Sequence, residues 1–257
     1  MEMKSEWETL KVRIEDGVGR ILLNRPDVLN ALNYKLVLEL EEAVGELEDH
    51  VRVILIEGAG KHFCAGADLR YVSETKEMRQ FIEQINRAFF HLENARIPVI
   101  AAVQGYALAG GFELMQACDI VIVAEDAVIG DQHANFGLIP GGGGTQRLPR
   151  LVGRQRALAL LLTGDRLSGH QAAAWGLAYR AVPAAELSAQ GLSLAQRTAS
   201  KSRAGAETLK DLVDRGAAMS LADAINLEVE TFLDWVRDRD AQEGLNAFRE
   251  KRSPKFA

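Results

Sequence analysis

Three short runs of mainly apolar residues, Val51 to Ile56, Pro98 to Val103 and Asp119 to Ala124, alternate with segments of helical period, and this alternation does most to limit the fold. Such runs read as strands with helices packed over the sheet faces, which is the pattern of an α/β domain. Upstream, Thr9 to Glu15 alternates apolar and polar residues, and Arg20 to Leu23 follows Gly17-Val18-Gly19, so the two predict a β-hairpin. Between Asn33 and Leu47 the period changes, with Leu36, Leu38, Leu40, Val44 and Leu47 at mostly helical spacing. Met78 to Leu92 predicts a second helix and Gly110 to Ala117 a short third. After Thr163 the strand signal fades, and Ser168 to Trp175, Glu186 to Ser200, Ala206 to Arg215 and Leu221 to Asp238 all predict helices. The expected division is an α/β core over residues 1–195 and a C-terminal helical region over 196–257.

The chain is 257 residues long, enough to bury a large core, and its net charge of -6 gives no compositional reason to expect nucleic acid as a partner. Its two cysteines, Cys64 and Cys118, form no C-x-x-C pair and have no histidine at metal-ligand spacing, so neither a disulfide framework nor a metal site is expected. The first residues, Met-Glu-Met-Lys-Ser-Glu-Trp, contain no apolar stretch of signal-peptide length, and no segment reads as a membrane span. A soluble protein of the cytoplasm is the expectation.

Two stretches carry chemistry. Phe63-Cys64-Ala65-Gly66-Ala67-Asp68-Leu69 lies between a strand and a helix, and its small residues let a ligand approach the backbone. In Val103-Gln104-Gly105-Tyr106-Ala107-Leu108-Ala109-Gly110-Gly111-Phe112-Glu113-Leu114 a buried strand runs through glycines into a helix whose first-turn N–H groups have no intrahelical acceptor. Alone, either glycine cluster reads as a tight turn.

In order along the chain, these and other pieces resemble the crotonase superfamily of enoyl-CoA hydratases and isomerases. The pieces are Leu23-Asn24-Arg25-Pro26 with Leu29-Asn30-Ala31-Leu32, Ala65-Gly66-Ala67-Asp68, Gly105-Tyr106-Ala107 with Gly110-Gly111-Phe112-Glu113-Leu114, and Cys118-Asp119. Gly137-Leu138-Ile139-Pro140, Gly143-Gly144-Thr145-Gln146-Arg147-Leu148-Pro149, Thr163-Gly164-Asp165 and Glu243-Gly244 with Ala247-Phe248 and Glu250-Lys251-Arg252 complete the match. The resemblance implies a spiral of ββα units with a helical C-terminal region, assembled as a homotrimer or a hexamer of two trimers. It implies an acyl-CoA thioester as substrate, with coenzyme A entering only as part of it and no metal or redox cofactor.

It also implies roles. The backbone N–H groups of Ala65 and Gly110 would flank the thioester oxygen and stabilise an enolate. Glu113 would hold and deprotonate the water that adds to Cβ. Val28 and Leu29 would lie beside the adenine and pantetheine, with backbone contacts from Ala65, Gly66, Ala67 and Asp68. Pro140 and Gly141 would border the acyl pocket. Asp27 stands where the family often has lysine, leaving Arg25 and Arg70 to supply charge. Phe248 and Lys251 fall where the family packs a helix against the adenosine end, sometimes that of a neighbouring subunit.

The main departure is His133, in Gly130-Asp131-Gln132-His133, where hydratases carry a second glutamate. Neutral imidazole is a base and imidazolium a proton donor. Were the segment extended, Asp131 would share a face with His133 and fix its tautomer or raise its pKa; the alternative is a histidine that only lines the pocket. The residues thus leave open a hydratase or dehydratase using Glu113 and His133, an isomerase or a C–C hydrolase with His133 as base, and an acyl-CoA-binding protein without turnover.

Other features have plainer readings. Gly141-Gly142-Gly143-Gly144-Thr145 lacks the lysine of a phosphate loop and reads as a turn starting a helix. Asp68 reads as a helix cap and Asp119 as a structural acceptor at a strand entrance. Cys64 and Cys118 read as small buried residues, and His62, His91 and His170 as packing or surface residues.

Overall fold

The structure, a computed structural model, describes residues 6–256. Residues 1–5, part of the stretch read above for a leader, lie outside the described residues. The chain opens with the expected hairpin, β1 (Leu10–Glu15) antiparallel to β2 (Val18–Leu23). Asp16 and Gly17 turn it with φ of 49° and 77°, the left-handed pair that suits a tight hairpin. Helix α1 (Tyr34–Glu48) is capped by the Asn33 side chain, which accepts from Leu36 N. It buries Leu36, Leu40, Val44 and Leu47 at helical spacing.

The elements that follow are β3 (Val53–Gly58), α2 (Leu69–Glu74), α3 (Met78–Glu93), β4 (Val99–Val103), β5 (Tyr106–Leu108), α4 (Gly110–Gln116), β6 (Ile120–Ala124) and β7 (Val128–Gly130). Then come α5 (Gly144–Val152), α6 (Arg154–Thr163), β8 (Leu167–Ser168), α7 (Gly169–Trp175), β9 (Arg180–Val182) and α8 (Leu187–Ala199). Helices α9 (Arg203–Ala217), α10 (Leu221–Trp235) and α11 (Arg239–Glu250) end the chain.

The strands form two sheets, one ordered β1-β2-β3-β4-β6-β9 and a smaller one ordered β5-β7-β8. From β2 to β9 the larger sheet is parallel, and every residue of β3 and β4 is buried, as expected for strands covered on both faces. Helix α8 packs across β3, β4 and β6. The smaller sheet joins β5 to β7 in parallel, and an isolated parallel bridge from Cys64 to Ala107 extends it by one row. Successive turns of chain therefore place a long strand in the larger sheet, β3, β4 then β6, and a short one in the smaller, Cys64, β5 then β7. This is the expected ββα spiral.

The fading of strand signal after Thr163 needs correction, because β8 and β9 lie beyond it. Elements of two or three residues are too short to display a period, and pairing with β7 and β6 makes them strands. Beyond Ser200, α9 packs against α10. Among the described residues no helix is long and apolar enough to cross a membrane.

Candidate active site

Register in the smaller sheet assembles the site. Cys64 is bridged to Ala107, and Ala107 pairs with Ile129, so the residues just after these three emerge at one end of the sheet. They are Ala65–Ala67, Ala109–Glu113 and Asp131–His133. The turns must be tight: a Cβ on Gly111 would lie 2.1 Å from the Cys64 carbonyl oxygen, so only glycine lets α4 approach this strand. Gly66, at φ 105°, packs on Ala109 and would place a Cβ 2.9 Å from its methyl carbon.

The expectation for Ala65 is corrected here. Its N–H donates to the Leu29 carbonyl at 3.1 Å and is consumed by the fold. Leu32 N donates to Gly66 O, and Asp68 N to Leu32 O, both at 2.8 Å. Between these bonds, Ala67 N–H has no hydrogen-bond acceptor among the described residues. A Cβ on Gly110 would lie 3.5 Å from Ala67 N, which places Gly110 beside that free donor. Gly110 opens α4 and has no intrahelical acceptor for its own N–H. The unspent pair is Ala67 and Gly110.

Buried Asn30 ties down the segment facing this pair: its Oδ1 accepts from Arg25 N, and its Nδ2 donates to Ala59 O and His62 O. Arg25, expected to supply charge to coenzyme A, also has a role within the fold. Its guanidinium donates to Asp68 Oδ2 at 3.0 Å and to Ala31 O, so its donors close the loop around Ala67. Asp68 caps α2 as expected, accepting from Arg70 N and Tyr71 N. Burial alone would raise Asp68, but the Arg25 guanidinium and these N–H groups hold it below the ordinary carboxylate range.

Glu113 is 2% exposed, and its Oε1 accepts from Gly142 N and Gly144 N, each at 2.8 Å. Among the described residues Oε2 has no partner. Burial pushes the carboxyl above its ordinary range, and the Gly144 and Gly142 donors and the His133 charge offset this only in part. The glycine run is thus more than a turn. It cradles the buried acid, and Arg147 steadies it by donating to Gly142 O at 2.8 Å while pairing with Glu93.

His133 begins a 3-10 turn (His133–Phe136) rather than continuing an extended segment. The pairing with Asp131 forms nonetheless, because the turn brings His133 N to 3.1 Å from Asp131 Oδ1 and Nδ1 to 3.0 Å from both carboxylate oxygens. Burial lowers an imidazole, but the Asp131 hydrogen bond and the charges of Asp131 and Glu113 outweigh it and hold His133 above the ordinary histidine value. Glu113 and His133 follow β5 and β7, whose pairing of Leu108 with Gly130 brings the two segments to the same end of the smaller sheet, and the charge of each favours the ionised form of the other.

Over residues 13–257 the chain matches the sequence profile of the enoyl-CoA hydratase/isomerase family. It belongs to that family. A probable enoyl-CoA hydratase of Mycobacterium tuberculosis is 37% identical over 252 residues, covering 97% of this chain and 98% of its own length. A probable enoyl-CoA hydratase of Rhizobium meliloti is 38% identical over 252 residues, with the same coverage of both chains. The crystal structure of an enoyl-CoA hydratase from Bacillus anthracis superposes with a TM-score of 0.93 at 36% identity, over 97% of this chain and 99% of that one. As a member of the enoyl-CoA hydratase/isomerase family, the chain is an enzyme of acyl-CoA chemistry of the hydratase type, with a crotonase fold.

The other residues expected to contact coenzyme A or the acyl group lie on several elements. Val28 and Leu29 are exposed beside the Asn30 loop, and Arg70 is exposed on α2. Pro140 packs near Gly144, and Gly141 O accepts from Asn86 Nδ2 at 2.7 Å. Phe248 is exposed near the end of α11 and Lys251 forms its left-handed cap; neither shares a hydrogen bond or ion pair with the site residues above. Cys64 is buried and its thiol is pushed up to about 12, which fits packing and not nucleophilic attack. Asp119 accepts from Val99 N at the head of β4, as expected, and also pairs with Lys210.

Proposed function

We propose that this protein is an enoyl-CoA hydratase in which Ala67 and Gly110 donate to the thioester oxygen, Glu113 activates water and His133 protonates Cα. The observation that carries the reading is the state of Glu113: Oε1 is anchored by two N–H groups while Oε2 is unclaimed among the described residues, on the helix that Gly110 opens. Glu113 Oε2 takes one proton from water as the hydroxyl adds to Cβ. The enoyl electrons move onto the thioester oxygen, where the two N–H groups stabilise the enolate. The enolate then takes the Nε2 proton of His133 at Cα, and exchange with water resets both groups. Two groups at the same end of the smaller sheet, a carboxylate and a histidine biased toward its charged form, favour hydration over a one-group isomerisation.

Only coenzyme A is needed, as part of the substrate. Residues 1–195 would hold this chemistry and 196–257 the helical appendage. The exposed faces of α9 and α10 support assembly as a trimer or a pair of trimers, and the two free cysteines suit a reducing cytoplasm. Purified protein mixed with crotonyl-CoA is expected to bleach the enoyl absorbance. Failure with short, long and cyclic enoyl-CoAs alike would sink the reading and leave isomerisation or C–C hydrolysis, while tight binding with no product would point to a carrier.

A further inference from the structure

The smaller sheet delivers Asp131 directly after Gly130, which pairs with Leu108 in β5 and whose carbonyl accepts from Ala109 N at 3.0 Å. Asp131 is thereby locked to the corner that precedes Gly110. It is 1% exposed; its carboxylate accepts from His133 N, and both its oxygens lie 3.0 Å from the ring Nδ1. A buried carboxylate with two bonds to one residue has no freedom to serve elsewhere. Nδ1 being occupied, the only other ring nitrogen is Nε2, which has no partner among the described residues.

We propose that Asp131 is a positioning residue for the reaction: it accepts the Nδ1–H of His133, so that the proton given to the substrate leaves from Nε2 and the histidine is left as its Nδ1–H tautomer. The inference rests on the hydratase reading for its chemical consequence but not for its geometry. When Nε2–H protonates Cα, the enolate electrons form the Cα–H bond, the thioester carbonyl re-forms and the imidazolium becomes neutral imidazole, while the bond from Nδ1–H to Asp131 is unchanged. The Asp131 carboxylate holds the ring in one orientation before and after. A carboxylic acid at this position would need burial to remain protonated, whereas the hydrogen bond to Asp131 favours the charged, proton-donating form of a histidine. This is how a histidine can stand where the family has glutamate.

The groups facing His133 are few. Asp131 acts from its own segment and Glu113 from α4. Neighbouring Gln132 binds Arg166 beside β8, its Oε1 accepting from Arg166 Nε at 3.0 Å. Helix α6, which packs on the 3-10 turn, carries Arg154, exposed, and Arg156, which sits over the Trp175 ring at 5.1 Å. Among the described residues Asp131 is the one charged group bonded to the ring.

The test is a pH titration of the His133 ring by long-range proton–nitrogen NMR in the full-length wild type and in Asp131→Asn, alongside the pH profile of crotonyl-CoA hydration. In the wild type the neutral ring is expected as the Nδ1–H tautomer; an Nε2–H tautomer overturns the proposal without any variant. In Asp131→Asn the midpoint is expected to fall by about one pH unit. The basic limb of kcat should move with it, so that kcat above the limb drops about tenfold per pH unit while KM stays put. Asp131→Glu should restore the limb in part. Hydration with an unmoved titration and an unmoved limb overturns the inference. If no enoyl-CoA is hydrated but the titration moves, the hydratase reading fails and the Asp131–His133 pairing stands.

Discussion

Gly144 donates its N–H to Glu113 Oε1 at 2.8 Å, and this bond, with its twin from Gly142, decides which carboxylate oxygen can act. Glu113→Gln retains an oxygen for both donors but has no base. Its kcat is expected to fall by roughly 100- to 10,000-fold with the fold intact. A fall of less than tenfold, measured on crotonyl-CoA, would remove Glu113 from the proton path.

The two shifted groups give the rate a bell shape. Glu113 must be ionised, and burial raises it, so the acid limb of kcat/KM is expected above the ordinary value of about 4.3. His133 must be charged, and Asp131 and Glu113 raise it against burial, so the basic limb is expected above about 6.5. The same shift gives a stability prediction. A carboxyl raised by folding contributes stability below its unfolded value and loses it as pH rises through the folded value. Glu113→Gln should therefore gain Tm relative to wild type as pH rises above about 4.3, the unfolded carboxyl value; a difference that stays constant from there upward would show that Glu113 is not raised.

Ala65 and Ala67 separate fold from chemistry. Replacing the peptide N–H of Ala67 by an ester oxygen, through incorporation of the α-hydroxy acid, should slow turnover roughly 100- to 1000-fold. The same change at Ala65 removes the bond to Leu29 and should cost about 1 kcal/mol of stability with little effect on kcat. The reverse pattern would restore Ala65 as the donor.

That pair also marks where the sequence stopped being legible. The long elements β3, β4, α1 and α3 declared themselves through runs or periods several residues long. β5 and β7, three residues each, did not, yet their register brings Gly110 and His133 together. Glycine and alanine stretches revealed that the backbone is approached closely near residues 65 and 110. They do not reveal which N–H is already bonded, because that depends on Leu29 and Leu32, far away in sequence. The Gly141–Gly144 run showed flexibility but not its target, the buried Glu113. Arg25 likewise looked free until Asp68 was found beside it.

Arg25→Met should act on stability and not on coenzyme A affinity. Removing the charged bond to Asp68 is expected to cost roughly 1.5–3 kcal/mol, read as a Tm loss of several degrees. Exposed Arg70 is the better candidate for the nucleotide, so Arg70→Ala should raise KM and flatten its salt dependence. A salt-dependent rise of KM in Arg25→Met with unchanged Tm would reverse these assignments.

The C-terminal helices predict assembly. Helix α9 exposes Leu209 and Val213 at 66% and 70%, and α10 exposes Leu221 and Phe232 at 78% and 61%. Burying such a side chain fully is worth about 1.5–3 kcal/mol, and large contiguous apolar patches are uncommon on monomers. Since α9 and α10 already pack on each other, their outer faces need a further surface, and identical copies supply one at equal concentration. Sedimentation equilibrium of the wild type should give a trimer or hexamer, and Phe232→Glu with Leu221→Glu should shift it toward monomer. The site residues described above lie outside α9 and α10, so the dissociated variant is expected to keep the His133 ring titration of the wild type even where turnover falls. A wild type that sediments as a monomer would leave these faces without the partner assigned to them.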